Sequence, residues 1–393
     1  MNNLIIENIK QRPFRTAISV VGVALGVILI VLMSGLVRGV TRDTAERQSN
    51  VDAEIRFLSN EISNASTTNP LMMREAYADA ILKGVKPTAE DPDLAEKPPI
   101  TGVIAASPVG EFVKDSAGGI GFELVDGIDY ESFIKVSSLR IAEGRGLGKG
   151  DTPESQYEVI VDRYYAERNT AIDGNAVRVG SKILTFGHEF TVVGIYEPPV
   201  LGRIKIPLRT MQELLGGAKN CSFILIRTEK PEQARQAKAE LERLYPGYRA
   251  YLTEEIPALF SQNIRAVDIF LNIVISLAVI ISTLVILLAM YTTIIERTRE
   301  IGILKSLGAS KSFIILTIEQ EAALISLLGV LFGFAVAIIG KFVLEKTTRL
   351  TIDIEPLWLL IAGAIGIVCG LIGALYPATR AANLDVVEAI SYE

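Results

Sequence analysis

The stretch ERTREIGILKSLGAS, from Glu296 to Ser310, decides how the rest of the chain is read. It is dense in charge, yet no charged residue occurs from Ile269 to Ile295 before it or from Ala322 to Gly340 after it. Each flanking run meets the ~18–20 apolar residues that a helix needs to cross ~30 Å of hydrocarbon. A charged segment held between two spans is excluded from lipid and from an apolar core, so it must face water or a protein at one side of the bilayer. As a helix it places Ile301, Leu304 and Leu307 together and pairs Glu296 with Arg299 and Arg297 with Glu300 at i,i+3. Gly308, Ala309 and Ser310 end it before the next span. An amphipathic docking helix is the expectation, and an ordinary charged loop is the competing reading.

Working outward, Ala17 to Val37 is a further uncharged run, and Leu357 to Tyr376 another, opened by Pro356 and closed by Pro377. The expected order is an amphipathic N-terminal helix over 1–16, with Ile5, Ile6 and Ile9 on one face, and a first span over 17–40. A polar domain over 41–265 follows, then a second span over 267–291 and the charged connection over 292–312. The third span (313–340), the fourth (357–376) and a tail (377–393) complete the chain. The first apolar run is too long for a secretory h-region and no small-x-small site follows it, so an uncleaved signal anchor is expected. Lys10, Arg12, Arg15, Arg297, Arg299, Lys305, Lys311 and Arg380 fall on one side of this arrangement, and Lys341, Lys346 and Arg349 on the other. Eight against three predicts cytoplasmic termini, with the large domain outside.

Residues 41–265 alternate strand-like runs (AEIRFL, ITGVIAA, IGFELVDG, YEVIV, NAVRVG, EFTVVGIY, RIKIPL, CSFILIRT) with helical segments at Asp162–Arg168, Arg209–Leu215 and Pro231–Leu244. The fold class expected is an α-helical membrane protein with four transmembrane helices and a large α+β extracytoplasmic domain between the first and second. G-x-x-x-G pairs at Gly22/Gly26, Gly329/Gly333 and Gly366/Gly370 are candidate helix-packing positions, as is Gly35/Gly39. Glu321, with Glu319, lies early in the third span and is expected as an intramembrane acid with a structural role at a helix contact, ion or proton coupling being the competing reading.

The inventory excludes several chemistries. A net charge of -6 argues against nucleic acid as a partner. Two cysteines, Cys221 and Cys369, and one histidine, His188, cannot assemble a zinc-type ligand set, and no nucleophile–base constellation is visible. His188 reads as a solvent-exposed turn residue and Cys221 as a buried free thiol. EGRGLGKGD at Glu143–Asp151 is the one Gly-Lys-rich loop weighed as a nucleotide site. It fails the G-x-x-x-x-G-K-[ST] spacing, because Glu143 stands where the first glycine belongs and Gly150 replaces Ser/Thr. No catalytic, metal-binding or cofactor-binding residue is therefore expected in this chain.

ER-x-x-EIGILK-x-LGAS resembles the cytoplasmic signature of FtsX-like permeases, the MacB/LolC/LolE class (type VII) of ABC transporters. RPFRTAISVVGVALGV, GRGL at Gly144–Leu147, VRVGSKILTFGHEFTVVGIY, IPLRTMQELLG, EAALISLLGVLFG and YPATRAANLDVVEAI are similar to other parts of that family, including its MacB-like periplasmic core domain. Val386 departs from the pattern, standing where relatives carry proline, and residues 59–99 match no part of it. The resemblance implies a permease of the inner membrane that works as a dimer with a second copy or a paralogue. ATP-Mg would be bound by a separate cytoplasmic ABC ATPase, and the ectodomain would meet a periplasmic adaptor or lipoprotein as well as membrane lipid. The ATPase-coupling residues it implies are Glu296, Arg297, Arg299, Glu300, Ile301, Lys305, Gly308, Ala309 and Ser310. The expected function is relay of motion to the ectodomain, for export or extraction of lipoprotein, lipid, peptide or amphiphilic drug. The alternative is a transmembrane regulator that activates a cell-wall hydrolase.

Overall fold

The computed structural model describes residues 13–59, 70–84, 96–115, 122–348 and 351–385. The amphipathic leader ahead of Pro13, much of the 59–99 insert, and the tail from Val386 lie outside the described residues. The chain divides into a helical unit (1–40, 264–346 and 350–393) and a sheet domain (41–263 with 347–349).

Helix α1 (Pro13–Ser49) leads into β1 (Ile55–Ser59), β2 (Met73–Arg74), α2 (Tyr77–Lys83), β3 (Val103–Asp115), β4 (Phe122–Ile128), α3 (Tyr130–Phe133) and β5 (Arg140–Gly144). Then come α4 (Pro153–Gln156), β6 (Glu158–Asp162), α5 (Arg163–Arg168), β7 (Lys182–Thr185), β8 (His188–Glu197), β9 (Ile204–Pro207) and α6 (Leu208–Leu215). β10 (Asn220–Cys221), β11 (Phe223–Thr228), α7 (Ala234–Leu244) and β12 (Tyr248–Leu252) complete the sheet domain. Ten strands form one sheet in the order β12-β1-β11-β3-β4-β9-β6-β8-β5, with β7 on β8. Its pairs are antiparallel except β4–β9 and β6–β8.

Local chemistry explains the helix starts. Asp162 ends β6 and accepts the Tyr165 amide at 2.6 Å, capping α5, and Thr152 with Ser155 forms a capping box at α4. The strand expected over Asn175–Gly180 is absent, and only a Thr170–Ala176 bridge remains. That segment gives its polar groups to turns instead: Gly174 N donates to Ala171 O and the Arg178 amide to Ser181 Oγ. Strands β5, β7 and β12 fall outside the expected strand-like runs and are held by pairing with their neighbours. His188 opens β8 at the surface, and Cys221 is a fully buried free thiol.

Four helices among the described residues are long and apolar enough to cross a membrane: α1, α8 (Ile256–Glu296), α10 (Lys311–Thr348) and α11 (Pro356–Ala382), with α9 (Thr298–Ser306) between the second and third. The sequence-derived boundaries at 40 and 266 fall inside α1 and α8. Side-chain polarity marks where a helix leaves lipid, whereas i→i−4 bonding continues as long as the backbone allows. Pro377 does not end α11, which runs five residues further to Ala382. Its lost hydrogen bond is offset by complete burial of Ala378 and Ala381 and by capping of the helix end, described below.

The candidate packing glycines all stand at helix crossings. A Cβ on Gly22 or Gly26 would run into Val285 or Ser282 of α8, and Ser282 Oγ donates to Gly22 O at 3.1 Å. On Gly329 it would lie 2.6 Å from Val23 Cβ, and on Gly333 3.0 Å from Val27 Cβ, both on α1. On Gly366 it would lie 2.9 Å from Val330, and on Gly370 it would overlap Ser326 Oγ, both on α10. Helices approach this closely where small residues remove the side-chain barrier between backbones. Gly35 and Gly39 serve the same purpose against residues 351–353, where the Asp353 amide donates to Gly35 O at 2.9 Å.

Candidate functional site

α9 is made by a break at each end. At Arg297 the backbone leaves helical geometry (φ -109, ψ 14), and Thr298 Oγ1 lies 3.0 and 2.8 Å from the carbonyls of Ile294 and Ile295, the first of which also accepts the Arg297 amide at 3.1 Å. At the other end Gly308 takes φ +96, a conformation that costs a side-chain-bearing residue, and the Ala309 amide returns to Leu304 O at 3.0 Å. Ser310 Oγ then accepts the Phe313 amide at 3.2 Å and opens α10.

The inner side of α9 is fastened to the end of α11. Ile301 is buried with Ile294, Ile314, Ala381 and Ala382. Lys305 Nζ donates to Ala382 O at 3.0 Å and Leu384 O at 2.5 Å, placing a cation on the carbonyl end of α11. Lys311 Nζ reaches Asn383 Oδ1 at 2.8 Å, and the Arg380 guanidinium lies 5.2 Å from the Tyr291 ring. The outer side carries Arg299, Glu300, Ile303, Leu304, Leu307, Gly308 and Ser310. Leu307 is 80% exposed.

The apolar face expected from Ile301, Leu304 and Leu307 is thus divided. Ile301 turns inward and Leu304 and Leu307 outward, because the α11 terminus occupies one side of α9 and draws in Ile301 and Lys305 with it. Those two residues are engaged within the bundle, and the remaining coupling candidates are at or near the surface, with Glu296 exposed at the end of α8.

Arg297 joins two residues that the sequence singled out separately. Its Nε donates to Glu300 at 2.9 Å, and its Nη1 lies 3.5 Å from Glu321 Oε2. Glu321 stands ten residues into α10, ~15 Å along the helix at 1.5 Å per residue. Its contact with the first residue after α8 places it level with the end of that helix.

The sheet domain holds a second polar cluster, around the last turns of α1. Asp43 pairs with Arg47 at 3.0 Å and with Arg203, whose other nitrogen reaches Asp162 at 2.5 Å. Arg47 also donates to Leu201 O at 2.5 Å, and Asn50 Nδ2 to Pro199 O at 2.8 Å. Beneath this loop Lys205 and Asp126, neighbours on β9 and β4, form a fully buried pair at 2.7 Å. Lys205 also donates to Val200 O and Gly202 O at 2.8 and 3.0 Å, and the Gly202 amide to Asp126 at 2.8 Å. Burial pushes the Lys205 ammonium down, opposed by the charge and hydrogen bond of Asp126; burial pushes Asp162 up against the pull of Arg203. Sequence reasoning missed this cluster. Its one signal is a lysine between two isoleucines in IKIP, a strand buried on both faces.

The Gly-Lys-rich loop is organised by a carboxylate of its own. Glu158 receives Arg145 at 3.0 and 2.5 Å and the Gly148 amide at 2.9 Å, and the Arg145 amide goes to Val193 O. The Arg145 and Gly148 amides of the loop are thus both donated within the sheet domain.

Residues 16–244 match the MacB-like periplasmic core domain, and residues 272–386 the FtsX-like permease C-terminal domain. The pyoverdine export ATP-binding/permease protein PvdT of Pseudomonas syringae pv. tomato is 25% identical over 401 residues, covering 97% of this chain and 57% of that protein. The macrolide export ATP-binding/permease protein MacB of Campylobacter jejuni is 24% identical over 290 residues, covering 68% of this chain and 44% of that protein. The chain therefore spans about half the length of the curated relatives it matches. Among solved structures, the periplasmic region of MacB from Actinobacillus actinomycetemcomitans is similar over 55% of this chain and 96% of its own, at 14% identity and a TM-score of 0.38. With both family domains matched, the first over more than half of the residues, this chain belongs to the FtsX-like, MacB-like family of ABC transporter permeases.

Proposed function

We propose that the chain is the membrane subunit of an export or extraction machine, taking motion from an ABC ATPase and delivering it to the sheet domain outside the inner membrane. The termini and α9 lie in the cytoplasm in this reading, in keeping with the excess of Lys and Arg on that side. ATP-Mg is held by the ATPase, and a second permease copy or paralogue completes the complex. Substrates are drawn from lipoproteins, lipids, peptides and amphiphilic drugs, met at the ectodomain with an adaptor or carrier.

One observation carries the reading. α9 is fastened to the end of α11 through Ile301 and Lys305 and to α10 through Arg297–Glu321, yet it presents Ile303, Leu304 and Leu307 outward in the loop between two spans. A helix so arranged transmits a push on its outer face to the bundle. Exposed apolar residues grouped with Arg299 and Glu300 suit a protein contact better than water. The test is co-purification of the ATPase with the chain carrying Leu304→Glu and Leu307→Glu. Loss of the ATPase, with the permease still folded in the membrane, is the expected result. Full retention together with normal export would overturn the assignment.

A further inference from the structure

The sheet domain contains a cleft of about 1160 Å³ that none of the helix-coupling features uses. Its walls are α2, α3 and α6, and its floor is the Ile104–Pro108 part of β3. Six basic side chains line it (Arg74, Lys83, Lys135, Lys149, Arg209, Lys219) against four acidic ones (Glu75, Asp79, Asp129, Glu213), a surplus of two positive charges in a chain whose net charge is -6.

The four acids are already engaged. Glu75 accepts Gln212 Nε2 at 2.7 Å and Asp79 pairs with Lys83 at 2.8 Å. Asp129 caps α3 through the Ser132 amide at 3.2 Å. Glu213 accepts Gln156 at 2.8 Å and lies 3.5 Å from Arg209. The cations are not balanced in the same way. Lys135 and Lys219 are exposed and have no carboxylate partner among the described residues, and Lys149 lies 3.8 Å from its nearest carboxylate oxygen, on Glu131. On the floor, Ile104 is 55% exposed, an apolar surface with nothing packed over it. Free ammonium groups around a bare apolar floor form a site that rewards a carboxylate joined to an apolar side chain.

We propose that this cleft binds a small, water-soluble acidic peptide or peptide-like ligand, its carboxylates on Lys135 and Lys219 and an apolar side chain on Ile104. The volume exceeds that of an ordinary drug-sized pocket and fits a short chain of residues. The proposal rests on the reading that the sheet domain is where substrate is met, and it gives that substrate a chemistry.

The experiment uses the full chain in nanodiscs of zwitterionic lipid, without ATPase or nucleotide. Lysine acetylation by a water-soluble ester is followed residue by residue by mass spectrometry during titration with three probes: N-acetyl-Leu-Asp, N-acetyl-leucinamide and citrate. Saturable protection of Lys135 and Lys219 by N-acetyl-Leu-Asp, with little from the neutral or the tail-less probe, is expected. Lys135→Gln and Lys219→Gln should each weaken binding, read at the remaining lysine, by about ten-fold, the worth of one charge-assisted hydrogen bond. Both positions are exposed, so these variants should fold. Equal protection by citrate, or slowing spread over lysines outside the cleft, would show a diffuse ion atmosphere and overturn the proposal. Because no ATPase is present, such a failure is separate from failure of ATPase docking, which the α9 variants read.

Discussion

Lys205→Met offers a demanding test of how the sheet domain is held together. The native ammonium is fully buried and donates to Asp126, Val200 O and Gly202 O. Methionine has similar length and no charge, so packing is largely kept. Asp126 would then be a buried carboxylate whose remaining donor is the Gly202 amide, and two carbonyls would lose their lysine donor. Removing one partner of a buried ion pair costs about 3–5 kcal/mol. The upper part of that range is expected here, because each lost carbonyl bond adds roughly 1 kcal/mol. The proper readout is hydrogen exchange at β4 and β9 amides in the full chain, since a molecule of two units has no single unfolding free energy. At 1.4 kcal/mol per factor of ten, protection should fall by about three to three and a half powers of ten. Lys205→Met/Asp126→Leu should recover most of the loss, because the pair is worth little against apolar residues of similar volume. The Val200–Arg203 loop, which Arg47 and Asn50 of the α1 end grip, should lose protection in the single variant and regain it in the double. A single variant that loses less than about 1 kcal/mol of protection would refute the reasoning.

Three further outcomes follow from the geometry. Burial opposes ionisation of Glu158, but Arg145 and the Gly148 amide outweigh it and hold the carboxyl below its ordinary value of 4.5. A depressed folded value means stability that is present above about 4.5 and lost as pH falls through the folded pKa, so Glu158→Gln should flatten the acid dependence of exchange at β6 in that window. Gly370→Val should destabilise the bundle by about 1–3 kcal/mol in a detergent melt, because the new methyls meet Ser326 and Ile286, whereas Leu360→Ala, at a 72% exposed position, should not. In a double-mutant cycle on ATP-driven export, Arg297→Gln and Glu321→Gln should be non-additive by about 0.5–3 kcal/mol; strict additivity would show that their 3.5 Å contact carries no coupling.

The spans were legible because runs of nineteen or more uncharged residues have few other uses in a folded chain. The limits of α9 were legible from Gly308 and Ser310, whose roles as stop and start are local. The direction of its faces was not. Ile301, Leu304 and Leu307 are equivalent in spacing, and what separates them is the end of α11, about eighty residues later, whose carbonyls draw in Lys305. Lys205 was hidden for a similar reason: strand periodicity places it opposite two isoleucines but does not say that both faces of β9 are covered. The helix ends at Ser49 and Ile256 were illegible because polarity changes where lipid stops while backbone bonding does not.

In the proposed function a push on α9 reaches the sheet domain. Nitroxide labels at Leu184→Cys, exposed on β7, report on it directly, since the two native cysteines, Cys221 and Cys369, are buried. Electron–electron distances between the two copies of an ATPase-bound permease should shift beyond the width of their distribution when a hydrolysis-blocked ATPase takes up ATP. That shift should vanish in the Leu304→Glu/Leu307→Glu chain. An unchanged distance in a complex that binds ATP and exports normally would contradict the account.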